Sequence, residues 1–437
     1  MSSMPLSEQN SASAGRRDFL KTTAAAAVGS SLLTLPGLQS AVYAGASDTL
    51  KVGLIGCGGR GTGAARQALN ADDGARLVAM GDAFSDKIES SLHNLGAFNE
   101  LTEKIQVEPE NKFVGFDAYQ RVVDMCDVVL LATPPHFRPE QLRYAVEKGK
   151  HVFAEKPVAV DAPGVRSVME SCKLAKEKGL AIVSGLCYRY DEPKIEIFKR
   201  IHDGMIGEIT AMRASYNTRG LWSFPRDEGW SDMEYQMRNW LYYNWLSGDH
   251  INEQHIHSLD KMAWAMQDKT PISASGTGGR LTRTQEIYGN VYDHFAVEYV
   301  YDNDVRGFSR CRQQDGCAVD VTDHIFGTKG TADVMGHKIK DLSGKSLYRF
   351  RGNQTNMYDA EHIALFNSIR KGEPINNGDY MTKSTMMAIM GRMAAYTGQE
   401  ITWEQALNSQ EDLTPPAYDW TSLAVAPVPM PGITPFV

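Results

Sequence analysis

A short apolar run rich in β-formers, residues 50–55, leads straight into Gly56-Cys57-Gly58-Gly59-Arg60-Gly61 and then into a helical pattern over residues 62–69. This junction restricts the fold more tightly than any other part of the chain. Gly56 permits a tight turn, Gly58 lets the backbone approach a pyrophosphate, and Gly61 lets the helix pack on the sheet. The helix N-terminus then faces the phosphates. Glycines so spaced are common in proteins; lying between a strand and a helix is the context that gives them meaning.

The next strand, residues 75–81, ends at Asp82. A carboxylate there accepts hydrogen bonds from both ribose hydroxyls and repels a 2′-phosphate, so NAD is expected over NADP. Residues 127–132 form a fully apolar strand of the parallel type. After it come Thr133-Pro134-Pro135-His136, a helix over 138–148, a strand over 151–154 ending in Glu155-Lys156-Pro157, and a last strand over 180–187. Strands alternating with helices in this way predict a doubly wound parallel sheet, an α/β Rossmann domain.

These segments together resemble the Gfo/Idh/MocA oxidoreductases, with Glu155-Lys156-Pro157 the most telling part. The similarity runs to about residue 405. It implies a cofactor site built from Gly56, Gly58, Gly59, Arg60, Gly61, Asp82, Thr133, Pro134, His136, Glu155 and Lys156. It also implies that Lys156 reaches the reacting hydroxyl beside the nicotinamide. The second domain is expected to be α+β, with a large, mostly antiparallel open sheet covered by helices on one face. Residues 291–312 and 317–334 alternate apolar and polar positions as such strands should. Residues 362–370 and 382–396 read as helices, the latter packed by Met and Ala. A homo-oligomer, dimer or tetramer, is expected.

The segment from Ser247 to Asp260 carries the chemistry of the second domain. As one helix it would stack Asp249, Glu253 and His257 four apart on one face, with Ile256, Leu259 and Ala263 on an apolar face. The family carries Asp-x-Gly-x-His-x-x-Asp here, and His257 takes the place of its catalytic histidine. Glu253 stands where Asp is usual and His255 where Gly is usual, which adds a group near the substrate. Lys156, His257 and Glu253 are thus the expected catalytic residues, with Tyr188 and His255 beside the substrate. A shared metal ion is not expected, because His255 and His257 would point about 200° apart on a helix.

Trp222, Trp230, Trp240 and Trp245 precede that segment, interleaved with Tyr216, Tyr235, Tyr242, Tyr243, Arg219, Arg226 and Arg238. Aromatic faces stack on the C–H faces of sugars and arginines donate to hydroxyls, so Arg238 and Trp240 are expected to meet a small carbohydrate substrate.

The N-terminal residues 1–44 read as a signal peptide. Arg16-Arg17-Asp18-Phe19-Leu20-Lys21 precedes an apolar run too short to span a bilayer, and Ala41-Val42-Tyr43-Ala44 offers a cleavage site. The paired arginines resemble a twin-arginine export signal, so a periplasmic or otherwise exported protein is expected, with no membrane span. That route carries proteins folded in the cytosol, so the 6 cysteines are expected to stay unpaired. With 45 Lys+Arg against 53 Asp+Glu, neither nucleic acid nor an anionic membrane is an expected partner. The remaining divisions are a nucleotide domain over 45–187, a substrate and oligomerisation domain over 188–405, and an arm over 406–437. From Leu413 that arm holds Pro415, Pro416, Pro427, Pro429, Pro431 and Pro435, so this proline-rich tail can form neither a helix nor a central strand and should run extended over its own subunit or a neighbour.

Export and a dinucleotide site together constrain function, because a cofactor loaded before export must be held tightly and regenerated in each cycle. The expected activity is hydride transfer between a sugar-like secondary alcohol and bound NAD. One alternative resembles glycoside hydrolase family 109, which oxidises a sugar transiently to eliminate its glycosidic substituent. The other is a sugar-binding protein without catalysis.

Overall fold

The computed structural model describes residues 48–437, and the expected signal peptide over residues 1–44 lies outside them. The first domain is a six-stranded sheet of β1 (Leu50–Ile55), β2 (Ala75–Asp82), β3 (Lys112–Val114), β4 (Val128–Leu131), β5 (His151–Ala154) and β6 (Ile182–Ser184). Its order is β3-β2-β1-β4-β5-β6 and every pairing is parallel. The order reverses between β1 and β4, which opens a crevice at the carboxyl ends of the strands, the usual ligand position in such sheets. The central strands are buried on both faces: Val128, Val129, Leu130 and Leu131 expose nothing. That is why they read as unbroken apolar runs.

Leu50, Val52 and Leu54 pack against Ala64, Ala65, Ala68 and Leu69 of α1 (Gly59–Ala71). The same cluster holds Leu365, Phe366 and Ile369 from a helix far along the chain, which returns to cover the nucleotide domain.

The second domain is a nine-stranded sheet. Its strands are β7 (Ile209–Thr218), β8 (Ser273–Gly279), β9 (His294–Val300), β10 (Arg306–Gln313), β11 (Asp320–Gly327), β12 (Gly330–Asp333), β13 (Lys338–Asp341), β14 (Ser346–Arg349) and β15 (Ile401–Thr402). The order is β14-β13-β12-β11-β7-β10-β9-β8-β15, antiparallel except for β10 beside β7. Along β10, Gly307, Ser309, Cys311 and Gln313 face the core while Phe308 and Arg310 face solvent, the alternation of a half-covered sheet. Helices α2 (Asp249–Glu253), α3 (Ile256–Ala265) and α5 (Gly378–Thr397) lie on the inner face, whereas α4 (Met357–Lys371) packs against α1 and β6 of the nucleotide domain. α5 is enclosed along most of its length, with Met386, Met387, Met390 and Met393 in the core.

All six cysteines are free and five of them are buried. Among the described residues no helix is long and apolar enough to cross a membrane, and no group of His, Cys, Asp and Glu is placed to hold a metal ion. The arm after Leu413 runs extended over its own chain and folds back, so that Gln410 N donates to Val437 O at 3.2 Å.

Candidate active site

The glycine loop forms one wall of a cleft of about 480 Å³. Gly56 adopts φ +90°, a left-handed conformation that side chains rarely take. A Cβ on Gly61 would lie 1.8 Å from Gly56 O, so only glycine lets α1 close on the turn. Gly58 and Gly59 differ, because a Cβ at either would meet nothing within 4 Å. The first turn of α1 has no side-chain cap, so its backbone N–H groups face open space, the arrangement that receives a phosphate. These residues fit a dinucleotide.

Asp82, at the end of β2, lines the same cleft. Its carboxylate accepts from Cys57 N at 2.6 Å and Phe84 N at 3.0 Å, which fixes it against the loop. Burial pushes its carboxyl above the usual range. Thr133 and Pro134 line the far side. Arg60 lines the cleft too, but its donors are already engaged: Nε with Glu155, one NH₂ with Gln67 at 2.8 Å, the other with Glu361 at 2.9 Å. His136 lies outside the lining, its Nε2 2.7 Å from Tyr418 Oη on the arm.

Lys156 follows β5 and projects toward the second domain. Its Nζ donates to Glu253 Oε1 at 2.9 Å and to the Glu253 carbonyl at 2.5 Å. Both side chains are about 15% exposed, so the pair is largely shielded from water. An ammonium carries three donors, so one remains for a ligand. His257 completes the group: burial, then the positive charges of Lys156, Lys261 and Arg60, push its imidazole well below its usual value. The ring is therefore neutral and able to accept a proton. Its Nδ1 is enclosed without a hydrogen-bond partner. Tyr188 sits edge-on to His257 at 5.2 Å, with the ammonium groups of Lys261 and Lys194 over its ring at 4.0 and 4.6 Å.

The expected single helix over this segment is broken. Gly248 and Asp249 both have positive φ, and His255 N donates to His250 O at 3.0 Å, a five-residue step of the π type. Asp249 is fully buried away from the site, accepting from Tyr292 N at 2.7 Å and Tyr396 Oη at 2.6 Å. The extra residue turns His255 into the core, where Nε2 lies 2.6 Å from Ser309 Oγ on β10. The structure thus brings together Lys156, Glu253, His257 and Tyr188, and places His255 elsewhere.

It also moves Arg238 and Trp240 from an expected sugar site to the cofactor cleft, where they line the wall opposite Asp82 together with Trp222 and Phe224. Arg238 lies 4.0 Å over the ring of Phe84 and pairs with Asp86 at 3.1 Å and Glu234 at 2.9 Å. Its charge is spent within the protein.

Two supporting residues escape a reading of the sequence. Arg138 donates to the carbonyls of Thr133 and Pro157, binding the two turns of the cofactor and lysine motifs to each other. Glu361 reaches the glycine loop from α4, and its spacing with Leu365 and Ile369 was the available signal, since it puts a carboxylate on the buried face of a helix.

A profile described as an oxidoreductase family with an NAD-binding Rossmann fold matches residues 50–186, and the GFO/IDH/MocA C-terminal domain profile matches residues 195–333. The chain is 25% identical over 256 residues to an uncharacterized oxidoreductase of Streptococcus pneumoniae, covering 58% of this chain and 60% of that one. It is 28% identical over 211 residues to a glycosyl hydrolase family 109 protein of Solibacter usitatus, covering 46% and 45%. To inositol 2-dehydrogenase of Klebsiella pneumoniae it is 24% identical over 340 residues, covering 74% and 87%. The first two matches thus span less than two thirds of the relatives' own length. In fold it is similar to aldose-aldose oxidoreductase from Caulobacter crescentus complexed with glycerol, with TM-score 0.62, 18% identity, and coverage of 81% of this chain and 99% of that one. With both profiles matched in order over more than half its length, the chain belongs to the Gfo/Idh/MocA oxidoreductase family and carries its NAD-binding Rossmann domain.

Proposed function

We propose that the protein is an exported oxidoreductase that oxidises or reduces a secondary hydroxyl carbon of a sugar, polyol or glycoside against a tightly held NAD. The observation that carries this reading is the Lys156–Glu253 pair at 2.9 Å beside a neutral His257, at the end of β5. When bound, the nicotinamide supplies the acceptor or donor for the hydride. The chain does the rest. Lys156 holds two donors on Glu253 and offers the third to the substrate oxygen, where its charge stabilises a developing alkoxide. His257 takes the hydroxyl proton, which its depressed basicity allows because the lysine has already made that proton more acidic. Glu253 fixes the ammonium, and Tyr188 packs the histidine ring.

The twin-arginine sequence supports export, and the Arg60, Gly56 and Gly58 loop supports loading of the dinucleotide before it. Such a cofactor is regenerated by a second sugar or within one catalytic cycle. The match to a family 109 protein over 211 residues supports a second reading, in which transient oxidation acidifies a neighbouring C–H and releases the glycosidic substituent.

A panel of sugars, polyols and nitrophenyl glycosides separates the two. Accumulation of a keto-sugar supports net redox chemistry, and released nitrophenol without net oxidation supports the elimination. Lys156→Ala and His257→Ala should each lose most of the turnover while retaining NAD. Full turnover in both variants would refute the assignment.

A further inference from the structure

We propose that the C-terminal arm is a clasp on the cofactor cleft, making the bound dinucleotide slow to exchange. This rests on the dinucleotide site and not on the identity of the substrate. The cleft has walls from both domains. Asp82, Phe84 and Phe116 belong to the nucleotide domain, whereas Trp222, Arg238 and Trp240 come from the second domain and roof it over. A dinucleotide leaving through that opening requires the roof to lift from the floor.

The arm bridges the two. On the floor side, the Trp420 ring stacks on Phe116 at 4.6 Å and lies 5.2 Å from Phe84, while Tyr418 Oη is 2.7 Å from His136 Nε2. Immediately after, the arm grips the short helix Asp232–Arg238, which contributes Met237 and Arg238 to the roof and leads into Trp240. Ser422 Oγ donates to Asp232 at 2.7 Å, Met233 N donates to Thr421 O at 3.2 Å, and Gln236 Nε2 donates to Leu423 O at 2.7 Å.

Both ends of the arm are anchored away from the cleft. Leu413 N donates to Asp161 at 3.1 Å and Arg392 pairs with Glu411 at 2.6 Å, so the start of the arm is fixed to the body of the chain. Gly432 N donates to Thr397 O at 2.9 Å on the way out. A loose tail would make no such circuit. Lifting the roof therefore breaks ring contacts and hydrogen bonds that contribute nothing to cofactor affinity in the open state.

The test reads cofactor exchange, with no sugar present. The full chain purified with its nucleotide is mixed with excess isotope-labelled NAD, and the bound fraction is followed by mass spectrometry. Trp420→Ala should exchange on the order of tenfold faster or more, from the loss of two ring contacts. Trp420→Phe should restore slow exchange, and Ser422→Ala should accelerate it a few-fold. Ile433→Ala, at an exposed position of the same arm, should leave the rate unchanged. Melting curves of each variant establish that the fold is retained. Wild-type exchange in both Trp420→Ala and Ser422→Ala would overturn the clasp, as would equal acceleration by Ile433→Ala. Slow exchange in a chain that turns over no sugar would refute the proposed function and leave the clasp standing.

Discussion

Arg60 stands between two carboxylates, and its replacement by Met tests whether the glycine loop depends on that charge. Glu155 and Glu361 are 5% and 0% exposed, whereas the arginine itself is 33% exposed. Glu361 Oε2 has no hydrogen-bond partner. Burial, followed by the charge of Glu155, pushes the Glu361 carboxyl well above the usual range, and the guanidinium opposes that rise. Removing one partner of a buried ion pair costs about 3–5 kcal/mol. Partial exposure of Arg60 puts the loss near the lower end, about 3 kcal/mol, and for a domain of this size that is roughly 6–12 °C in melting temperature. The loss carries a sign in pH. Folded Glu361 already holds its proton more tightly than an unfolded glutamate with a pKa of about 4.3, and removing the arginine tightens that hold further. The folded state then binds more protons than the unfolded one, so stability falls as pH rises through that interval. Melting curves of Arg60→Met and the unaltered chain at pH 5 and pH 8 should show a gap that widens from the lower value to the higher. Adding Glu361→Gln should recover most of the loss, because one carboxylate no longer needs a counter-charge. An equal gap at both pH values, or no recovery, would refute the account.

His257 is held neutral by burial and by Lys156, so the acid limb of kcat/KM should lie well below the ordinary histidine value of about 6.5. His257→Ala should lower kcat by about 10²–10⁴-fold, and a limb centred at 6.5 in the unaltered enzyme would contradict the placement. Gly61→Ala should abolish nucleotide retention and destabilise the nucleotide domain, since the added Cβ meets Gly56 O at 1.8 Å; retention measured by mass spectrometry checks it. Burial pushes the His255 imidazole down to about 3, so His255→Ala should cost about 2–3 kcal/mol in denaturant unfolding above the ordinary histidine value of about 6.5, and the cost should shrink as pH falls below it because the unfolded histidine takes up a proton that the folded one does not. The KM of the folded fraction should not change.

What was legible in the sequence was legible because local backbone demands specific residues. The glycine loop, Asp82 at a strand end and the lysine motif each sit within a few residues of the turn that needs them, and β4 announces its burial by an unbroken apolar run. The rest depends on contacts between distant segments. β3 has three residues and little periodicity to detect. The pairs Arg60–Glu361 and Arg238–Asp86 join residues 301 and 152 positions apart, respectively, and neither residue type predicts such a partner. The aromatic cluster was read by chemistry alone, which suits a sugar and a nucleotide equally. Only the crossing of the second domain over the crevice puts Trp222 and Trp240 opposite Asp82.

The broken helix shows how a pattern can be right in residues and wrong in geometry. A straight helix would align Asp249, Glu253 and His257 on one face and point His255 about 200° from His257. The structure spends one extra residue at the step from His250 O to His255 N. That step releases Asp249 to cap the β9 side of the core through Tyr292 and Tyr396, and it lets the buried Ser309 take His255. Glu253 then ends one helix with both its carbonyl and its carboxylate on Lys156, an arrangement favoured at a helix end, where the carbonyl lacks its bond to the residue four positions on. The glutamate side chain at 253 folds back to the ammonium from that helix end. The glutamate and the π-type step thus act on one atom: the break frees the backbone oxygen, and the side chain brings the carboxylate to the same nitrogen.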